Sequence, residues 1–238
     1  VAVSSKTEAV VLRKLRYGEA DSILHLYTRE HGRVNAIAKG ARKSASRFGG
    51  RLEPLFRVEL MLHEGRGDLA TVTGAATIDG FSGLRTSHVA LSAAAAGCDA
   101  VLRLLDARER NEPAYNLLCN FLTLADRHPA QAGPALVLAF RLKLLLVAGF
   151  APELGACATC AAGDRLTSFS AKAGGLVCDD CADEGFAIGE AAATFMREAL
   201  GRPLAEAPSA DAATLREVDR AIRETAEYHA HVRMRAVG

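Results

Sequence analysis

Between residues 8 and 78, apolar side chains fall on alternate positions in five short runs. Glu8–Tyr17 (EAVVLRKLRY) is rich in Val and Leu, and Ser22–Thr28 (SILHLYT) alternates after a turn marked by Gly18 and Asp21. Arg29-Glu30-His31-Gly32 connects tightly into Arg33–Lys39, where Val34, Ala36 and Ala38 share one face. Leu55–His63 sets Phe56, Val58, Leu60 and Leu62 against Arg57, Glu59 and His63, and Gly65-Arg66-Gly67-Asp68 turns the chain into Leu69–Ile78. Period-two patterning with glycine-bearing turns at this spacing predicts a small antiparallel sheet or barrel. Five strands with one long connection after the third suit an oligonucleotide/oligosaccharide-binding (OB) barrel. An SH3-like barrel is the main structural competitor.

Past residue 80 the apolar spacing becomes helical. Ser87–Ala107 is rich in Ala and Leu without Pro, and Pro113 opens a second helix reaching Arg127. Pro134 starts Ala135–Ala148, which is apolar nearly all round and so belongs in the centre of a bundle. Gly149 and Pro152 end it. In Asp211–Met234, residues Leu215, Val218, Ile222, Thr225, His229 and Val232 make one stripe. The opposite face, with Arg216, Arg220 and Arg223 among Glu217, Asp219, Glu224 and Glu227, reads as salt-bridged surface. The expected fold is α+β: an OB-type five-stranded β-barrel domain at 1–80, then an all-α helical domain at 81–238 with an insert at 153–184.

At 50% hydrophobic and 24% charged residues, the 238-residue chain suits a globular protein and argues against disorder. With 9 Phe, 4 Tyr and no Trp, aliphatic side chains and alanine must build most of the core. The most apolar stretch, Ala135–Phe150, is interrupted by Arg141 and Lys143, whereas a membrane span needs about 20 largely uncharged residues. The opening VAVSSKTEAVVLRK lacks the basic-then-apolar layout of a signal peptide, so a cytoplasmic location away from membranes is expected.

Charge is unevenly placed. Residues 1–80 hold 13 Lys/Arg against 9 Asp/Glu, a net of +4, and the remainder holds 16 against 19, a net of −3. Lys39, Arg42, Lys43, Arg47 and Arg51 crowd the stretch Lys39–Leu52, which has no acid. Such a local positive field is either a polyanion-binding surface or a solvated basic loop. As DNA-binding residues on a mobile loop, the five would neutralise phosphates and release counterions. Few aromatics are available for stacking, so the expectation is weak sequence preference and a log–log salt slope of about −3.5 on single strands.

Four of the six cysteines form two Cys-x2-Cys pairs, Cys157/Cys160 and Cys178/Cys181, separated by 17 residues. This spacing suits one structural zinc ion, with a hairpin of Thr167–Ala171 and Leu176–Val177 bringing the pairs together. Four thiolates fill the tetrahedron and leave no place for an activated water. Two redox or vestigial thiol pairs are the alternative, although the βαβ setting of a thioredoxin motif is absent. No phosphate loop, nucleophile elbow or His-Glu-x-x-His helix occurs, so no catalytic residue is assigned and a non-enzymatic role is expected. A zinc hydrolase is the minor alternative.

The chain resembles the RecO family of bacterial recombination mediators along its whole length. The resemblance rests on Val10-Val11-Leu12, Tyr17-Gly18-Glu19-Ala20-Asp21, Lys39-Gly40-Ala41-Arg42-Lys43 and Ser46-Arg47-Phe48-Gly49-Gly50-Arg51-Leu52-Glu53-Pro54-Leu55-Phe56, followed by helices and an embedded four-cysteine module. It implies binding of single- and double-stranded DNA, annealing of complementary strands, and contact with RecR and with the tail of the single-stranded-DNA-binding protein. It also implies help in loading RecA (the RecFOR pathway). Arg141, Lys143 and Arg233 are candidates for meeting an acidic tail. The alternative reading is another zinc-ribbon nucleic-acid-binding factor in transcription or RNA processing.

Overall fold

The first strand is long enough to serve two neighbours. In the computed structural model, which describes residues 3–64, 67 and 69–237, β1 (Val3–Tyr17) pairs antiparallel with β4 (Arg57–Glu64) from Val3↔Glu64 to Val10↔Arg57. It then pairs antiparallel with β2 (Asp21–Thr28) from Ala9↔Thr28 to Tyr17↔Asp21. A bulge between Val11 and Arg13 lies near where it changes partner, the kind of irregularity that bends a strand at a barrel corner. β1 begins before the expected Glu8 because Ser4, Ser5 and Lys6 pair through the backbone without apolar alternation.

β2 continues antiparallel into β3 (Gly32–Ala38), and β5 (Ala70–Asp79) pairs antiparallel with β4. Ala36↔Ala70 and Ile37↔Thr71 join β3 to β5 in parallel, closing a barrel of order β1-β2-β3-β5-β4. This parallel closure distinguishes OB connectivity from the SH3-like competitor. The turn expected at Gly65-Arg66-Gly67-Asp68 falls largely outside the described residues: only Gly67 is described. Inside, Ala9, Val11, Leu24, Leu26, Val34, Ala36, Val58, Leu60, Leu62 and Val72 are buried together with Phe48 and Leu52 from the connection between β3 and β4.

The chain divides into two compact units, Val1–Pro129 and Ala130–Gly238. The first holds α1 (His88–Leu104) and α2 (Glu112–Arg127) besides the barrel. Ser87 caps α1 by accepting from Ala90 N–H, and Asn111 caps α2 by accepting from Ala114 N–H. α1 stops at Leu104, short of the expected Ala107, because Ala107 bridges to Arg33 and Arg108 N–H donates to Arg33 C=O at 2.9 Å. α2 is tied to the strands by Arg29–Glu112 at 2.7 Å and by Tyr115 Oη donating to Glu8 Oε2 at 3.3 Å. Gly97 faces Phe121 so closely that a Cβ there would lie 2.4 Å from the ring.

The second unit centres on α3 (Pro134–Val147), buried from Leu136 to Leu142 without a break. Packed on it are α4 (Glu190–Gly201) and α5 (Ala212–His229). A small sheet of β6 (Leu166–Ser170), β7 (Gly175–Cys178) and β8 (Phe186–Ala187) lies between α3 and α4 in sequence, with β6 central. Neither β8 nor α4 was among the expected elements. α5 ends at His229 rather than Met234, and the following residues turn back: Arg141 Nη1 donates to Arg235 C=O at 2.8 Å and Val237 N–H to Asp219 Oδ1 at 3.3 Å. His229 is exposed, so it leaves the buried stripe. Asp219, expected on the charged surface, is buried against Arg141. Among the described residues no helix is long and apolar enough to cross a membrane.

Candidate nucleic-acid interface and metal centre

Residues 39–56 link β3 to β4 through consecutive tight turns. Lys43 N–H donates to Gly40 C=O, Ser46 to Lys43, Gly49 to Ser46, and Arg51 to Phe48, at 3.0–3.2 Å. Gly40 and Gly49 take positive φ, 68° and 54°, as such turns require. Phe48 and Leu52, each 1% exposed, sink into the barrel interior and anchor the connection. The segment is therefore seated on the barrel at two points, in contrast to the mobile loop expected.

All five predicted cationic residues, Lys39, Arg42, Lys43, Arg47 and Arg51, are exposed. None forms an ion pair with a carboxylate among the described residues. Three are positioned by neutral groups. Arg42 Nη1 donates to Gly18 C=O at 3.1 Å, Arg47 lies 4.8 Å over the Phe48 ring, and Arg51 Nη1 donates to Phe48 C=O at 3.2 Å. These contacts orient the guanidinium groups and leave their charge unneutralised. Arg42 also borders a cleft of about 500 Å³ that it shares with Lys14, Arg16, Ser22 and Glu53. Lys14 and Arg16 were not among the predicted residues. They sit two apart on β1, so the alternation of a strand places both on one face.

Of the barrel aromatics, Tyr27 and Phe48 are core and Phe56 is half-buried, while Tyr17 stays 53% exposed. Among the tail-binding candidates, Arg141 is 1% exposed and paired with Asp219, which removes it from any surface role. Arg233 pairs with Glu227 at 2.8 Å, and Lys143 donates to Leu200 C=O at 3.2 Å.

The four cysteines converge. The sulfurs of Cys157, Cys160, Cys178 and Cys181 all lie within 4.8 Å of one another, with Cys160 and Cys178 at 3.7 Å. A tetrahedral ion with metal–sulfur bonds of about 2.3 Å places its ligands about 3.8 Å apart, so the donor set fits a metal ion. Each pair rides on a tight turn. Cys157 N–H donates to Ala162 C=O at 2.7 Å and Ala161 N–H to Cys157 C=O at 2.8 Å, while β7 delivers Cys178 and a short 3-10 turn carries Cys181. Backbone N–H groups of Cys178 and Cys160 hold the Cys157 thiol down at about 6, and hydrogen bonding among the crowded sulfurs pushes Cys181 up to about 12. Full ionisation of such a set needs a cation at its centre. The module is fastened to Glu153, whose backbone exchanges hydrogen bonds with Gly174 and Leu176 at 2.9 Å each. A Cβ at Gly175 would sit 2.1 Å from Glu153 O, so only glycine fits there.

A five-stranded barrel of OB connectivity bearing an exposed basic segment, with helices and a four-cysteine module further along the chain, places the protein in the class of OB-barrel proteins with a candidate metal centre. The chain matches the family model "Recombination protein O N terminal" over residues 3–81 and "Recombination protein O C terminal" over residues 85–236. It is 38% identical over 231 residues to the DNA repair protein RecO of Rubrobacter xylanophilus, an alignment covering 94% of this chain and 90% of that protein. To the DNA repair proteins RecO of Bifidobacterium animalis and Myxococcus xanthus it is 41% and 36% identical over 177 and 176 residues, about three quarters of this chain in each case (73%) and 72% and 71% of those proteins. The chain belongs to the RecO family.

Proposed function

We propose that this protein is a non-enzymatic DNA repair and recombination mediator. It binds single- and double-stranded DNA, anneals complementary strands, and helps load RecA onto DNA covered by single-stranded-DNA-binding protein, in company with RecR. Residues 1–80 act as the DNA-binding domain. Residues 81–238 act as the helical adaptor, in which Cys157, Cys160, Cys178 and Cys181 of the 153–184 insert hold one structural zinc ion. The protein works in the cytoplasm, at the nucleoid.

The observation carrying this reading is the set of five exposed cations on a barrel-anchored segment, none matched by a carboxylate among the described residues. Charges left unneutralised by their own protein are available to phosphates, and their fixed seating lowers the ordering cost of binding. The four-sulfur cluster supplies no open coordination position and therefore fits a scaffolding role.

The test is DNA binding and strand annealing by a variant with Arg42, Lys43, Arg47 and Arg51 changed to Ala, its folding checked by circular dichroism. Four fewer phosphate contacts flatten the single-strand salt slope by about 2.8. Wild-type affinity and slope in that variant overturn the assignment of the segment. Failure of the wild-type chain to speed pairing of strands coated with single-stranded-DNA-binding protein overturns the mediator role.

A further inference from the structure

Ser22 opens the inner run of β2, opposite Arg16 on β1 and Ala38 on β3. The residue is 0% exposed and its hydroxyl has no hydrogen-bond partner. Buried hydroxyls are rarely left unpaired, and each exception asks for a missing partner. Ser22 lines the cleft of about 500 Å³ whose other walls are Lys14, Arg16, Ala41, Arg42, Glu53 and Pro54.

The charges of that wall narrow the missing partner. Lys14 Nζ donates to Glu53 Oε1 at 2.8 Å, so these two neutralise each other. Neither Arg16 nor Arg42 has an ion pair among the described residues, and the Arg42 guanidinium donates to the neutral backbone carbonyl of Gly18. Two uncompensated guanidinium groups therefore share the cleft with an unpaired hydroxyl. Arginine side chains offer donors and no acceptor, and the one carboxylate is already engaged. What the cleft lacks is an anion with several acceptor oxygens. The two non-bridging oxygens of a phosphodiester are splayed tetrahedrally and can accept from donors arriving on different sides, whereas the oxygens of a carboxylate lie with their lone pairs in one plane. Arg42 is held at this place: its N–H donates to Ala20 C=O at 2.9 Å, and Gly40 N–H donates to Asp21 Oδ1 at 2.7 Å, pinning the basic segment to the β1–β2 turn.

We propose that this cleft is a phosphate-anchoring subsite, in which Ser22 Oγ and the guanidinium groups of Arg16 and Arg42 donate to one phosphoryl group of a bound DNA strand. The inference rests on the DNA-binding reading above and names a fixed point within it. Ser22 adds a directional bond that releases no counterion, and Arg16 adds a charge that does.

The experiment is fluorescence-anisotropy titration of the full chain, its Ser22→Ala variant and its Arg16→Gln variant. The probes are a 20-nucleotide single strand labelled at its 3′ end, with either a 5′-hydroxyl or a 5′-phosphate, across a salt series. Ser22→Ala is expected to bind about tenfold more weakly, the worth of a hydrogen bond to a charged group, with unchanged salt slope and an unchanged or higher melting temperature. Arg16→Gln is expected to bind more weakly with a slope flatter by about 0.7. Equal losses on both strands assign the subsite to internal phosphates, and a loss confined to the 5′-phosphorylated strand assigns it to an end; both support it. Wild-type binding by Ser22→Ala, while the four-fold loop variant loses affinity, overturns the subsite and leaves the DNA-binding reading standing. If Ser22→Ala melts early, Arg16→Gln decides, and wild-type affinity and slope overturn the proposal. No DNA binding by the wild-type chain overturns both.

Discussion

Arg141 Nη1 lies 3.4 Å from Asp219 Oδ1, and the two side chains are only 1% and 6% exposed. Asp219 also accepts from Arg223 Nε at 2.8 Å and from Val237 N–H at 3.3 Å, so one carboxylate joins α3, α5 and the chain's final turn-back. Removing it leaves the buried guanidinium of Arg141 in α3 without its carboxylate, with Arg235 C=O still accepting from it. Asp219→Ala is expected to destabilise the protein by about 3–5 kcal/mol, the usual effect of orphaning a buried charge. Arg141→Met combined with Asp219→Leu should recover most of that loss, because no charge is then buried. Urea unfolding of the two variants measures the difference. Equal stability of the single and double variants would show that the pair is not what holds this unit.

Gly97 on α1 faces the Phe121 ring on α2. Alanine there gains about 1 kcal/mol of helix propensity, but its Cβ would meet the Phe121 ring at 2.4 Å, and Phe121 is fully buried with no room to withdraw. Overpacking of this kind costs about 1–3 kcal/mol. Gly97→Ala should therefore lower the melting temperature, and Phe121→Leu in the same chain should restore part of it. A rise in melting temperature for Gly97→Ala alone would contradict this packing.

The barrel was legible because period-two alternation marks β3 and β4 clearly: Val34, Ala36 and Ala38, and Val58, Leu60 and Leu62, are buried, with Asn35, Ile37, Glu59 and Met61 between them. The cysteine cluster was legible because Cys-x2-Cys spacing is local. What escaped was set by distant partners. Ser4, Ser5 and Lys6 extend β1 by backbone pairing, which leaves no side-chain signature. The end of α1 is decided by Arg33, and the burial of Asp219 by Arg141, 78 residues earlier in the chain. Lys14 and Arg16 were missed because the basic cluster was sought along the chain, while strand pairing brings them beside Arg42 from the other side of a turn. α4 was a different omission. Ala192, Phe195, Met196 and Ala199 carry a clear helical stripe that goes unread next to the cysteine module.

Glu8 links two strands and a helix. It accepts from Arg57 Nη2 at 2.5 Å and from Tyr115 Oη at 3.3 Å, and the Arg57 guanidinium holds its carboxyl below the usual 4.5. A folded-state value below the unfolded one means that the contribution to stability is present above about pH 4.5 and is lost as pH falls through the folded value. Arg29 acts on Glu112, and Thr214 N–H on Asp211, in the same direction. Glu8→Gln should be less stable than wild type at pH 7, with the gap closing in acid. Stability curves that stay parallel from pH 7 to pH 3 would remove Glu8 from this role.

Metal content and thiol reactivity provide a joint check on the cysteine module. One zinc per chain is expected, with no fast-reacting thiol in the loaded protein. Cys98 and Cys119 are only 2% and 7% exposed, and burial pushes Cys98 up to about 12, so neither reacts while the helices are folded. A strong chelator should release four reactive thiols and raise hydrogen exchange across residues 153–184, while the barrel strands stay protected. Cys178→Ser should reproduce the exchange pattern. Four thiols reactive before chelation would show that no ion is held.

Phe48 and Leu52 change what an irregular segment means for the lifetime of this protein. Residues 39–56 offer trypsin five cleavage points in a stretch without helix or strand, a composition that ordinarily marks the first place a protease nicks. A protease needs several residues drawn out straight, and here drawing them out means pulling two corks from the barrel. Digestion at these points should therefore keep pace with opening of the strands and not with local fraying, so the most basic part of the chain is also guarded against being clipped away.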